Sequence, residues 1–265
     1  MSRIGETFAR LRREGKRTLI PFITAGDPDL ETTRKLIVEL AHAGAGLVEL
    51  GIPFSDPLAD GPVIQRASER ALRHRSGIKE ILQAVADVRK ETDVAIVLFS
   101  YYNPLLHYGL ERLSHDASDA GVDGVLVTDL VPEEASAFAA RLSEHHLDMI
   151  FLVAPTSTDT RLALIAERAS GFIYAVSRAG VTGARAEMSH QAERLVARVR
   201  QFSELPVAVG FGISNAEQVA DVWRYSDAAV VGSALVAEIE RLRGEPDLIK
   251  RVGEFTRRLL PGKES

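Results

Sequence analysis

Two carboxylates stand where carboxylates are not expected. In V-E-L-G-I-P-F-S-D-P-L-A-D-G-P, residues 48–62, Glu49 interrupts an apolar run and Asp60 lies in the loop that follows. On a strand, Glu49 alternates against Val48 and Leu50 and so points to the opposite side of the sheet from both. A carboxylate facing packed helices is costly without a partner, whereas one facing an open strand end can meet a substrate. Burial there raises its pKa, the condition for a group that holds a proton near neutrality and acts as a general acid or a shuttle. The alternative is a structural glutamate hydrogen-bonded to a neighbouring strand end. Around Asp60, Pro53, Pro57 and Pro62 stiffen the loop and Gly61 permits a turn, so the loop can bring a carboxylate repeatedly to one place. Asp56 competes for that role, although its D-P context also suits turn capping, and a turn-forming role for both acids stays open.

A second group of residues offers backbone rather than side chains. In G-F-G-I-S-N-A-E-Q, residues 210–218, Ser214 and Glu217 have the spacing of a capping box and predict a helix start. In V-G-S-A, residues 231–234, Gly232 and Ser233 fall at another helix start. Backbone N–H groups at two such starts, with Gly212 beside the first, can hold a dianion without a lysine. G-V-T-G, residues 180–183, is a candidate third wall. Tyr174, Phe22, Phe99 and Phe211 could line an aromatic pocket, though each is also an ordinary core residue type. The long, small-residue stretch 177–191 predicts a lid to which Arg178 and Thr182 bring hydrogen-bonding groups.

These residues need a scaffold that gathers strand ends. Short apolar runs predict eight strands, at 19–23, 46–50, 94–99, 124–128, 149–153, 172–176, 206–209 and 228–231. Most lack polar alternation, as strands of a parallel sheet covered on both faces do, and helical patterns such as 78–88 and 162–169 separate them. Asp27 and Pro28 offer a cap and first-turn proline for a helix over 29–43. Ile4, Phe8 and Leu11 share one face of a helix predicted over 3–14, which would lid the bottom of the fold. No G-x-G-x-x-G follows the first strand, so a dinucleotide-binding open sheet is disfavoured. The reading is an α/β fold, a (β/α)8 TIM barrel with an additional N-terminal helix, in one domain over residues 1–265; such barrels typically take roughly 250 residues. In that fold the ends of the strands and the loops after them share one mouth, which collects Glu49, Asp56, Asp60, Asp129, Tyr174, Arg178 and Thr182.

Composition removes several classes of function. A formal charge of -5 with dispersed Lys and Arg leaves no basic footprint for nucleic acid. With no cysteine there is no disulfide, thiolate nucleophile or thiolate metal site, which fits a reducing, cytoplasmic setting. No apolar run reaches the ~18 residues of a membrane span. The seven histidines form no H-E-x-x-H and share no strand end, so no metal is expected, and the absence of G-x-S-x-G removes a nucleophile elbow.

Taken together, P-F-I-T-A-G-D-P from Pro21, the 48–62 stretch, Y-Y-N-P from Tyr101, S-R-A-G-V-T-G from Ser177 and V-G-F-G-I-S from Val209 resemble the tryptophan synthase alpha subunit family over essentially the whole chain. The resemblance implies retro-aldol cleavage of indole-3-glycerol phosphate to indole and D-glyceraldehyde 3-phosphate. It implies that Glu49 and Asp60 are the catalytic pair, that Phe22 and Tyr174 belong to the pocket, and that Gly183, Gly212, Gly232 and Ser233 grip the phosphate. Thr182 would meet Asp60 when the loop closes. It further implies an α2β2 complex with a beta subunit that carries pyridoxal phosphate, no cofactor in this chain, and a subunit contact through Pro53, Phe54, Asp56, Leu58 and Asn103. T-D-L-V-P at 128–132 departs from the more direct D-x-P of relatives, which bears on the contact role of Asp129 and Pro132. Other phosphate-binding barrels share late glycine sites, but a sugar-phosphate isomerase or epimerase needs no aromatic pocket, and an indole-glycerol-phosphate synthase would want a lysine at a strand end.

Overall fold

The computed structural model describes residues 2–74, 76–176, 185–210 and 212–262. Arg178, Thr182, Gly183 and Phe211 lie outside them. The chain opens with helix α1 (Arg3–Arg13), then runs β1 (Thr18–Thr24), α2 (Leu30–Ala43), β2 (Leu47–Gly51), α3 (Pro62–Leu72) and α4 (Ile78–Val88). Next come β3 (Ala95–Ser100), α5 (Tyr102–Tyr108), α6 (Leu110–Ala120), β4 (Gly124–Val127), α7 (Ser136–Glu144) and β5 (Asp148–Val153). The last third holds α8 (Asp159–Arg168), β6 (Ile173–Val176), α9 (Arg185–Val199), β7 (Val207–Gly210), α10 (Ala216–Trp223), β8 (Ala228–Val231), α11 (Ser233–Arg241) and α12 (Leu248–Leu259).

All eight strands pair in parallel with their sequence neighbours, and β8 pairs with β1, closing the barrel. Strand ends differ from the apolar runs by one residue at most, because those runs are buried on both faces and lose their character abruptly at the loops. Two apolar clusters follow from the period of two. Leu47, Val97, Ile150 and Phe172 point into the barrel, whereas Val48, Leu50, Ile96 and Leu98 pack outward against the helices.

The N-terminal helix closes one end. Ser2 caps it by accepting from the Gly5 N–H, and Arg10, Arg12 and Arg13 in its last turn suit the negative end of the helix dipole. Its buried face sends Ile4 and Phe8 into the interior cluster, with the Phe8 and Phe172 rings 5.9 Å apart. The bottom rim carries a paired acid: Asp123, buried, accepts from Arg3 Nη1 (3.0 Å), Arg89 Nη2 (2.7 Å) and the Ile96 N–H (2.8 Å).

Three local expectations change. The cap of α2 is Asp29, which accepts from the Thr32 N–H at 2.6 Å, so Pro28 precedes the helix and Asp27 is released for an ion pair with Arg70. The cap of α10 is Asn215, one residue beyond Ser214; Asn215 accepts from the Gln218 N–H while Gln218 Oε1 accepts from the Ser214 N–H at 2.7 Å. The connection expected over 177–191 is shorter, since α9 begins at Arg185.

Candidate active site

Glu49 owes its direction to the pleat. Its strand neighbours Val48 and Leu50 pack outward and Leu47 inward, so Glu49 shares the inward set. Across the sheet it lies in register with Phe22 of β1 and Val97 of β3. The side chain is 1% exposed, and neither carboxylate oxygen has a hydrogen-bond partner among the described residues. Burial without compensation drives its pKa up to about 8. Among the described residues no bond ties Glu49 to a neighbouring strand end, as a structural glutamate would require.

A cavity of about 840 Å³ opens above it at the C-terminal ends of the strands. Glu49, Asp60, Phe22, Phe99 and Tyr174 all line it, together with the backbone of Gly212, Gly232 and Ser233. Phe22 and Phe99 meet edge to face at 5.2 Å, forming an apolar corner of the cavity. A Cβ on Gly210 would run into the Tyr174 hydroxyl, so a glycine there lets the ring lie against β7.

Asp60 reaches the cavity because the loop carrying it turns directly into α3, with Gly61 as cap and Pro62 at the first helical position. Tyr101 holds this loop in place. Its hydroxyl accepts from the Ala59 N–H at 2.9 Å and hydrogen-bonds to Asp60, while its ring stacks 5.3 Å from Phe54. Burial raises the Asp60 pKa to about 6, and the Tyr101 bond works against that rise. Its own burial, and then the charge of Asp60 beside it, push Tyr101 up to about 12, so it stays a protonated donor. Tyr101 stood in the Y-Y-N-P motif, but nothing in its spacing revealed that its hydroxyl reaches back to residues 59 and 60.

The two helix starts are not equivalent. At α10 the Ser214 and Gln218 N–H groups are already taken by Gln218 and Asn215. At α11 the cap is Gly232, which has no side chain to offer, so the first-turn N–H groups of Ser233 and Ala234 are not capped and both residues face the cavity. A Cβ on Gly232 would come no closer than 3.6 Å to its neighbours, so packing does not account for a glycine. Among the described residues lining the cavity there is no Lys or Arg. An anion held here would rest on backbone N–H groups and the helix dipole.

Other mouth residues go elsewhere. Asp129 accepts from the Tyr102 N–H at 2.7 Å and serves the start of α5; it borders a separate cavity of about 570 Å³ beside β4 and β5. Asp56 is exposed and bonded to Ser55, which leaves Asp60 alone of the two loop acids in the large cavity. Pro53 is buried and Phe54 half-buried, whereas Leu58 is 94% exposed and Asn103 is also exposed.

Residues 8–260 match the sequence profile of the family described as tryptophan synthase alpha chain. The chain belongs to the tryptophan synthase alpha chain family. The family's members are lyases of tryptophan biosynthesis. The tryptophan synthase alpha chain of Geobacter sp. (strain M21) is 49% identical over 262 residues, covering 99% of this chain and 98% of that one. The crystal structure of tryptophan synthase subunit alpha from Legionella pneumophila str. Paris superposes with a TM-score of 0.90 at 38% identity, covering 98% and 97% of the two chains. A chain from the aminoacrylate-bound crystal structure of M. tuberculosis tryptophan synthase superposes at 0.86 with 37% identity, covering 98% and 100%.

Proposed function

We propose that this chain cleaves indole-3-glycerol phosphate to indole and D-glyceraldehyde 3-phosphate, with Glu49 and Asp60 as its acid and base. The observation that carries this reading is the unpartnered, buried Glu49 facing the same cavity as Asp60. Their pKa values, about 8 and about 6, leave Glu49 mostly protonated and Asp60 mostly ionised at pH 7.

Cleavage of the bond between indole C3 and the glycerol carbon needs an electron sink, which the aromatic indole lacks until C3 is protonated. Glu49 donates that proton while Asp60 takes the one on the ring nitrogen, giving the indolenine. Glu49, now ionised, removes the proton from the adjacent side-chain hydroxyl. The carbon–carbon bond breaks, its electron pair moves through the ring to nitrogen, and the former carbinol becomes the aldehyde. Asp60 returns its proton to nitrogen, so both acids end as they began. Phe22 and Phe99 suit the flat ring, and the uncapped start of α11 suits the phosphate.

The same reading makes the chain the alpha subunit of an α2β2 tryptophan synthase, a cytoplasmic single-domain protein whose partner supplies pyridoxal phosphate. Exposed Leu58, Leu106 and Val131 support a partner contact at the mouth. No helix among the described residues is long and apolar enough to cross a membrane.

The test is indole release from indole-3-glycerol phosphate by the wild type, Glu49→Gln and Asp60→Asn, each with and without a beta subunit. Both variants should lose at least ~10²-fold in kcat. Near-wild-type turnover in both, with phosphate binding intact, would overturn the assignment.

A further inference from the structure

Arg70 lies on α3 beyond the turns that deliver Asp60, and it is 9% exposed. Its Nε and Nη2 donate to the two carboxylate oxygens of Asp27 at 2.8 and 2.7 Å, and its Nη1 donates to Glu240 Oε1 at 2.7 Å. Arg66, one turn earlier, sets a second fork on Glu240 at 2.9 and 2.8 Å. None of these four residues lines the large cavity.

What the four join is specific. Asp27 lies in the connection after β1, the strand that carries Phe22. Arg66 and Arg70 ride on α3, which starts directly after Asp60 and Gly61, and Glu240 rides on α11, whose first residue is Ser233. Below them Phe22, Ala67 and Val236 form a small apolar cluster between the same elements. Apolar contact alone holds two helices together but lets them slide and turn. A planar guanidinium shared between two carboxylates fixes both distance and rotation. Buried ion pairs add little net stability over apolar residues of the same size, so stability is a poor account of this cluster.

We propose that Arg70 is a positioning residue for the reaction proposed above: the Asp27–Arg70–Glu240 clamp sets where α3 delivers Asp60 relative to the anion-binding start of α11. The inference rests on that reading of the cavity. Asp60 itself faces the Tyr101 hydroxyl and, in the same cavity, Glu49 and Tyr174, and none of these touches the clamp.

Arg70→Lys keeps the charge but cannot engage both carboxylates with the same geometry. With the full-length chain and a beta subunit, it should lower kcat for indole release about tenfold and change KM less. It should also move the acidic limb of kcat/KM about one unit lower, as Asp60 becomes better hydrated. Glu240→Gln removes one arm of the clamp and should cost about threefold, and it decides the matter where Arg70→Lys does not fold. Folded variants with wild-type kcat and an unmoved acidic limb would overturn the proposal. A readout without turnover separates this from failure of the functional reading: titration of the Asp60 carboxyl carbon by NMR in a Glu49→Gln background. A lowered Asp60 pKa in Arg70→Lys supports the clamp even where the wild type releases no indole, and an unchanged one refutes it.

Discussion

Two deeply buried acids, one at each end of this barrel, are treated in opposite ways. At the bottom, Asp123 is 3% exposed yet has two arginines and a backbone N–H, and Asp227 accepts from the Val207 N–H at 2.9 Å and Arg200 at 3.2 Å. At the mouth, Glu49 is as deeply buried and has nothing. A chain able to satisfy carboxylates at one end leaves one unsatisfied at the other, which marks the mouth as the end where an outside partner completes the arrangement.

The comparison can be broken by moving charge at each end. Glu49→Gln should reduce indole release by ~10²–10⁴-fold while the protein stays folded. Phe8→Ala, which empties the plug of the closed end, should cost about 3–4 kcal/mol in urea unfolding and leave the pH limbs of activity in place. Asp123→Ala strands Arg89 and should cost a similar amount, about 3 kcal/mol, again without moving those limbs. A large loss of kcat in either folded variant would erase the division between the ends.

Proton linkage sharpens the same contrast. The folded-state pKa of Glu49 lies above its unfolded value, so the native state binds that proton more tightly. Its contribution to stability is therefore present below about pH 4.5 and is lost as pH rises toward 8, at about 1.4 kcal/mol per unit. Urea midpoints of the wild type and Glu49→Gln should converge near pH 5 and separate by pH 8, with the variant the more stable. Catalysis should rise through about pH 6 as Asp60 ionises and fall through about pH 8 as Glu49 loses its proton. The smallest effect expected is that of Gly232→Ala. With 3.6 Å to the nearest atom, the new methyl should leave stability within about 0.5 kcal/mol, yet raise KM for the phosphate-bearing substrate several-fold.

Much of this was legible in one dimension, for identifiable reasons. Strands buried on both faces appear as short unbroken apolar runs, so their number and limits show in the chain. Glu49 is visible because a carboxylate inside such a run contradicts its neighbours. Asp60 was less visible: a D-G-P context suits a turn as well as a site, and the Tyr101 bond that separates the two comes from 42 residues away. The start of α10 was misplaced by one residue because Ser214 and Asn215 can both cap, and only the conformation of the loop chooses between them. The Asp27 to Arg70 to Glu240 clamp had no local sign, since its members stand 43 and 170 residues apart.

By itself, then, the sequence determined the alternation of strand and helix, the inward direction of Glu49 and the glycines at strand ends, because each depends on period and on near neighbours. The tertiary structure alone decided that Glu49 would go unpartnered, that Asp60 and not Asp56 would enter the cavity, and that α11 would present the open helix start. Those outcomes depend on which distant groups come within hydrogen-bond reach, and a hydrogen bond is lost over an ångström or so that no spacing along the chain can specify.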